Sequence, residues 1–422
     1  MKNWERKKLG DICGFVRGPF GGSLKKNIFK PEGYAVYEQQ HAIYDQFDDV
    51  RYFIDEKKFN EMKRFELNSG DLIMSCSGTM GKIAIVPENI KKGIINQALL
   101  KLTPSKKIST VFLKLWMQSE SFQESLKEYS GGAAIQNVAS VAILKQIEIP
   151  LPPLHEQQRI VSILDEAFAA IAKAKANAEQ NLKNAAALFE SYLQRVFEKK
   201  GDGWEEKKLG EVLVKTETTD PTKNPDAEFT YLDVSSVNKE TKEIETPTVL
   251  LGKDAPSRAK KLIKTDDVIF ATVRPTHSRV AVIPEEFDEQ VCSTGYFVLR
   301  TKESVNNKLV FYFLLTKGFN EQMEKLQRGA SYPAVTDNDV KGILFRFPKS
   351  MIEQQTIVRQ LDALRAETKK LEAVYQKKMD DLEELKKAIL QKAFAGELRG
   401  GVVAKPAEAT EPKTEKAEII KT

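Results

Sequence analysis

The chain has 422 residues, with 65 Lys+Arg against 60 Asp+Glu and a net charge of +5. That length holds two or three domains, each with its own core. So small a charge excess does not by itself point to nucleic acid. No apolar run approaches the ~20 residues of a membrane span, so no membrane partner is expected. The opening MKNWERKKLG is charged and lacks the apolar core of a signal peptide.

The first globular stretch begins at Trp4-Glu5 and Lys7-Lys8-Leu9-Gly10. Residues 1–150 carry 22 Lys+Arg and 17 Asp+Glu, net +5. Asp71–Met74 and Lys82–Val86 read as two strands around a Ser/Gly loop. Gly78-Thr79-Met80-Gly81-Lys82 ends like a phosphate-binding loop but lacks the GxxxxGK[ST] spacing, so it is read as a strand-connecting turn. Thr110–Glu128 has helical periodicity, with Phe112, Leu115, Trp116, Phe122 and Leu126 on one side. A loop over Tyr129–Ala139 and an apolar strand over Ile143–Ile149 follow. Leu151-Pro152-Pro153 ends that strand and fixes the entry of what comes next.

Next comes a long helix from Leu154 to about Lys199, opening LHEQQRIVSILDEAF. Apolar residues recur in steps of three and four from Ile160 through Leu164, Ala167 and Ile171 to Val196, the pattern of a coiled-coil seam. Glu156 falls in the first turn, where a carboxylate complements the helix dipole. At 1.5 Å per residue the helix spans about 65 Å.

From Gly201-Asp202-Gly203 the order starts again. Trp204-Glu205 and Lys207-Lys208-Leu209-Gly210 repeat the opening at an offset of 200, and Asp267-Val268-Ile269 repeat Asp71-Leu72-Ile73 at 196. Ile283-Pro284-Glu285 repeat Val86-Pro87-Glu88 at 197. Asn307–Gln327 is the partner of the Thr110 helix. A second long helix, opening IEQQTIVRQLDALRA, repeats the first at 197 with no gap, and its seam runs through Leu361, Leu371, Met379 and Leu385 to Ile389. Two helices with matching seams suggest an intramolecular antiparallel pair. The competing arrangement is two amphipathic helices docked on separate cores. The tandem duplication gives globular domains over 1–153 and 201–350 and long helices over 154–200 and 351–398. The tail over 399–422, rich in Ala, Lys, Glu, Thr and Pro, reads as disordered. The fold class is α+β. The copies differ most over Arg17–Leu67 and Lys215–Lys264.

The residues supply no catalytic set. Cys13, Cys76 and Cys292 are scattered, and with His41, His155 and His277 they make no metal-ligand spacing. There is no GxGxxG, no HExxH and no Asn/Asp-Pro-Pro run of the kind amino-methyltransferases use. No cofactor, no metal and no enzymatic activity are expected, and the cysteine usage fits a reducing, cytoplasmic compartment.

The order domain, long helix, domain, long helix resembles the specificity subunit of type I restriction–modification systems. So do the PLPPLHEQQRIV junction, its echo FPKSMIEQQTIV, and the Trp-x-x-x-x-Leu-Gly starts. The likeness covers residues 1–398; the second junction departs in having Phe347-Pro348-Lys349-Ser350 where the first has PLPP. The resemblance implies that each globular domain is a target recognition domain reading one half of a split site in double-stranded DNA. It implies that the helices fix the unread spacer and dock two DNA methyltransferase subunits, which bring the S-adenosylmethionine chemistry, and that restriction/motor subunits can join. Other readings of the same scaffold are a stand-alone DNA-binding adaptor and a coiled-coil protein scaffold with no sequence readout.

Direct readout needs side chains with fixed donors and acceptors on loops, and phosphate contacts need cations or backbone N–H groups. The first domain offers Arg17, Lys25, Lys26, Gln39, Gln40, Ser77, Thr79, Lys82, Gln136 and Asn137. The second offers Arg274, Thr276, His277, Ser278 and Arg279 in its central loop, and Arg328, Ser331 and Tyr332 in the later one. For each, an ordinary solvated loop residue is the competing reading.

Overall fold

The computed structural model describes residues 4–129, 141–198 and 202–398. The loop with Gln136 and Asn137 and the tail over 399–422 lie outside the described residues. The chain forms two units: residues 1–177 with 378–422, and residues 178–377.

In unit 1, Glu5–Lys8 pairs antiparallel with Glu148–Leu151, with Lys7 opposite Ile149. A four-stranded antiparallel sheet runs in the order Cys13–Arg17, Leu99–Pro104, Leu72–Ser75, Ile83–Ile85. Of its two central strands, Leu72–Ser75 is buried throughout and Leu99–Pro104 is buried through Leu102, as strands covered on both sides must be. A three-stranded sheet places Tyr34–Tyr37 between Phe53–Ile54 and Gly93–Ile95, the last pairing being parallel.

The expected helix over Thr110–Glu128 is two helices, Thr110–Met117 and Glu120–Tyr129. Ser119 sits in the break, with its hydroxyl donating to Trp116 O at 2.6 Å, a local alternative to helical continuation. The expected strand over Ile143–Ile149 starts instead with a helical turn, Val141–Leu144, and pairs only from Glu148.

Unit 2 repeats this plan. Trp204–Lys208 pairs with Leu344–Pro348. Val268–Ala271 lies between Val280–Val282 and Tyr296–Leu299. A four-stranded sheet runs Thr248–Leu251, Glu228–Leu232, Val291–Ser293, Ala259–Leu262, with the second and third parallel. Asn307–Leu314 and Lys317–Leu326 are the paired helices, broken at Thr316, whose hydroxyl caps Phe319 N.

Buried polar residues repeat with the fold. Gln157 and Gln354, the first glutamine of each EQQ, are 0% exposed. Gln157 Oε1 accepts from Ser109 N at 2.8 Å, and its Nε2 donates to Pro152 O at 2.8 Å and Lys107 O at 3.2 Å. Gln354 does the same with Asn306 N at 2.7 Å, Pro348 O at 2.8 Å and Ser304 O at 3.0 Å. One amide thus ties the start of the long helix to the strand before it and to the cap of the domain's helix pair. The triplet has a structural role beyond the dipole contact of Glu156, whose carboxylate is buried and bidentate with Arg159.

Asp71 and Asp267 form the second repeated pair. Each accepts a backbone N–H from three residues back, Asn68 or Lys264, which is the expected turn chemistry. Each is also buried against a cation. Lys101 Nζ lies 3.9 Å from Asp71, while Arg300 grips Asp267 with two bonds of 2.8 Å.

The long helices are Leu154–Glu198 and Met351–Phe394, 45 and 44 residues. In unit 1 they run antiparallel. Contacts pass from Arg159 with Leu398 O, through Phe168 with Lys386, to Lys175 with Glu383 at 2.6 Å. Ile160 and Leu164 from the first helix and Leu390 and Ala393 from the second enter one core with Phe112 and Trp116. In unit 2, Tyr192 bonds Gln360, and Leu193, Val358 and Leu361 enter the core of Phe313 and Phe345. The helices therefore both pair and dock.

The second helix departs from its expected seam. Leu371 and Leu385 are 36% and 47% exposed, whereas Val358, Thr368, Leu390 and Ala393 are buried. Its buried positions are set at each end by the core it meets there, so one uniform heptad does not describe it.

Candidate nucleic-acid interface

In unit 1 the strand ends and loops carrying most nominated residues meet at one end of the four-stranded sheet. Antiparallel pairing sets Arg17 opposite Leu100 and Ser75 opposite Leu99. Gly18 N donates to Leu99 O, Cys76 N to Ala98 O and Asn96 N to Tyr37 O, each at 2.9 Å, which draws the flanking loops together. Gln39 Nε2 comes within 3.9 Å of where a Cβ at Gly78 would sit. Arg17 is near enough to Cys76 to pull its thiol pKa downward, against the larger effect of burial, which pushes it up to about 12. Arg17, Gln39, Ser77, Thr79 and Lys82 thus share one end of the sheet. Lys25 and Lys26 follow in the loop after Arg17, both exposed. Gln40 lies beside Gln39 but donates to Asp49 O at 3.2 Å.

The turn from Ser75 to Lys82 is built by its first residue. Ser75 Oγ donates to Thr79 O at 2.6 Å and accepts from Lys82 N at 3.0 Å, and Ser75 O accepts from Gly81 N. Gly78 and Gly81 take φ of +62° and +72°, which side chains with a Cβ rarely adopt. The Gly-Thr-Met-Gly-Lys run is therefore a strand-connecting turn, with Thr79 and Lys82 side chains at the exposed tip.

Unit 2 builds the equivalent end by the same backbone logic. Thr272 N donates to Gly295 O at 2.8 Å, the counterpart of Cys76 with Ala98. The later loop then folds alongside: Val335 N bonds Thr272 O at 2.9 Å and Arg274 N bonds Pro333 O at 2.7 Å. Arg328 and Ala334 exchange both backbone bonds at 2.9 Å. The Arg274 guanidinium lies over the Tyr332 ring, 5.5 Å from its centroid, a cation–π contact. Arg274 and Ser278 hold φ of +50° and +48° without being glycine. Such conformations cost about 1–3 kcal/mol each and persist where surrounding bonds over-determine them.

The nominated residues of this end divide by what they touch. Arg328 is bidentate to Asp339 at 3.0 and 3.2 Å; that bond, with the Thr336 N–H, holds the Asp339 carboxyl down to about 2. Arg279 donates to Val237 O, and Ser278 O accepts from Lys242 at 2.7 Å. These three brace the loops. Arg274, His277, Ser331 and Tyr332 are exposed and Thr276 is half-buried at the same end.

Some exposed residues at these ends escape sequence reasoning. Phe20 and Gln97 in unit 1 and Arg258 in unit 2, whose carbonyl accepts from Thr294 N, stand there with side chains outward. Only the pairing of strands distant in sequence brings them in. Among the described residues no group of His, Cys, Asp and Glu is disposed to hold a metal ion, and no helix is long and apolar enough to cross a membrane. All three cysteines are free and buried.

The sequence matches the family model of the type I restriction modification DNA specificity domain, over residues 1–183 and 201–378. The chain belongs to that family and carries two such domains in tandem. It is 24% identical over 424 residues to the type I restriction enzyme MjaVIII specificity subunit of Methanocaldococcus jannaschii, covering 94% of this chain and 93% of that protein. Its fold is shared with a solved chain from work on complex assembly and conformational transition of the type I R-M system, at TM-score 0.75 and 19% identity over 94% of this chain and 99% of that one. The HsdS subunit from Thermoanaerobacter tengcongensis has the same fold at TM-score 0.62 and 19% identity, over 94% and 98%. These matches run through both units and support the specificity-subunit reading rather than an adaptor or a protein scaffold.

Proposed function

We propose that this chain is the non-catalytic DNA-recognition subunit of a type I restriction–modification complex, working in the cytoplasm. Each domain reads one half of a bipartite target in double-stranded DNA with the loops at one end of its sheet. The first uses Arg17, Gln39, Ser77, Thr79 and Lys82, with Lys25 and Lys26 on phosphates. The second uses Arg274, Thr276, His277, Ser331 and Tyr332. The long helices set the unread spacer and dock two methyltransferase subunits, and restriction/motor subunits act on that assembly.

The observation that carries this reading is the convergence of polar and cationic side chains at the same sheet end in both repeats, from segments that differ between copies. Fixed donors on a braced loop are what base-edge recognition requires, and nearby cations supply the sequence-independent attraction. The test is methylome sequencing of cells expressing the neighbouring methyltransferase with and without this gene. A gene-dependent, two-part methylated motif is expected. An active methyltransferase that yields the same motif, or none, in both strains would contradict the proposal.

A further inference from the structure

Phe20 is 80% exposed, the most exposed large apolar side chain among the described residues. An aromatic ring left in water is ordinarily the tip of a floppy segment, but this one is held. Gly18 is bonded to Leu99 O at 2.9 Å and packed so closely on the Asn96 carbonyl that a Cβ would sit 1.8 Å from its oxygen. Pro19 is buried, and its ring fixes φ. After Phe20 the chain enters a 3-10 turn over Gly21–Leu24, in which Ser23 Oγ donates back to Phe20 O at 2.9 Å. Leu24 then packs with Phe59 and Ile94 in a core of its own. The ring is thus presented from a loop anchored on both sides.

Its surroundings are cationic. Arg17 precedes it, Lys25 and Lys26 follow it, and none of the three has an ion-pair partner among the described residues. A rigid apolar ring amid uncompensated positive charge suits a polyanion with an apolar interior, which describes stacked bases between phosphate strands. Phenylalanine has no donor or acceptor for base edges, so its contribution is shape and stacking. Minor-groove proteins that place such a ring on a duplex frequently push it into a base step, partly unstack it and bend the helix. The repeat gives Phe20 no aromatic counterpart: at the offset of 200 that relates the domain openings the position is Asp220, which is paired with Lys260 at 2.8 Å. Another exposed ring at a reading end, Tyr332 at 73%, comes from a different loop and carries Arg274 against its face.

We propose that Phe20 is an intercalating wedge: on binding, the first domain inserts it between adjacent base pairs of its half-site. This inference rests on the function proposed above and adds the deformation of the target to it. Recognition by the first domain then includes the ease of unstacking one step, so a flexible pyrimidine–purine step is favoured there even without a base-edge contact.

The experiment uses the full chain in complex with its methyltransferase subunits and the duplex motif found by methylome sequencing. 2-Aminopurine replaces a base at each position of the first half-site in turn, leaving out the methylated base, because methyltransferases flip their target out of the stack. Wild type is expected to raise fluorescence at one step. Phe20→Ala should abolish that rise and weaken specific binding about tenfold (~1.4 kcal/mol), with an unchanged melting temperature because the side chain is exposed. Phe20→Trp should retain both. The wedge is overturned if no step brightens, if Phe20→Ala leaves signal and affinity intact, or if it weakens binding with the signal unchanged, as contact with a thymine methyl in the groove would do. A missing gene-dependent motif removes the recognition function itself, whereas an intact motif with an indifferent Phe20 removes only the wedge.

Discussion

The two units share their buried polar joints and differ at their reading ends. Gln157 and Gln354 make the same three hydrogen bonds 197 positions apart. By contrast, unit 1 carries its exposed ring on the loop after Arg17, and unit 2 carries one on the loop after Arg328. A buried amide with its groups satisfied is costly to replace, because a side chain without the same donors and acceptor leaves backbone groups unpaired. A side chain in water at a loop tip is free of that constraint. Repetition in this chain therefore marks what holds the domain on its helix, and divergence marks what the domain presents.

The largest effect that would break this comparison is at the joints. Gln157→Ala and Gln354→Ala each leave one buried carbonyl, of Pro152 or Pro348, and a part-buried N–H and carbonyl without their partner, at about 1–3 kcal/mol for a buried group and less for the others. Each should destabilise its own unit by about 3 kcal/mol or more in urea unfolding. A loss confined to one of the two would show that the repeated joint is not equivalent.

Next comes the aspartate pair, where the copies differ within a shared position. Asp267→Asn removes the buried partner of Arg300 and leaves it the exposed Glu217, at a cost of up to about 3 kcal/mol. Asp71→Asn should cost less, since Lys101 stands at 3.9 Å and already donates to Glu66 O at 2.6 Å. Equal losses would mean that the turn bonds rather than the ion pairs dominate.

Arg274→Ala should weaken binding to the specific duplex about tenfold (~1–3 kcal/mol for a base-reading arginine) and relax only the half-site read by the second domain. Its effect on folding should stay within about 0.5 kcal/mol, as for other exposed positions. A uniform loss across sequences would reassign it to phosphate.

The smallest expected effect is electrostatic. Asp339 is held down to about 2 by Arg328 and Thr336, so the folded state binds its proton less tightly than the unfolded one. The stability it lends is present above about pH 4 and is lost as pH falls toward 2. Lys242 has the opposite sign: burial lowers its pKa to about 8, so it opposes folding while charged. Its cost is relieved as pH rises through 8, before the unfolded-state lysine titrates. Amide exchange in the 328–334 loop and in residues 239–244 should follow these two windows, and Arg328→Ala should remove the first.

The duplication, the helix starts and the α+β class are legible because they rest on local pattern: the Pro-Pro stop, the EQQ triplet and apolar spacing. The turn role of Asp71 and Asp267 is legible for the same reason, but their cations are not, since Lys101 and Arg300 arrive from a strand about 30 residues on. The seam of the second long helix misleads at Leu371 and Leu385 because its buried side is dictated by cores that sequence period does not encode. At the reading ends, Arg274 and Tyr332 are visible as loop residues of suitable chemistry. Their contact is not, and neither is the anchoring of Phe20 through Gly18 and Leu99, because both depend on strands paired across long sequence separations. The loop with Gln136 and Asn137 stays a proposal read from sequence alone.

The most direct test of the central claim is exchange of residues 1–150 for the equivalent stretch of another family member with a different target, followed by methylome sequencing with the same methyltransferase. The expected result is a motif in which one half is replaced, and the other half and the spacer are kept. A motif unchanged, or changed in both halves at once, would contradict the assignment of one half-site to each domain.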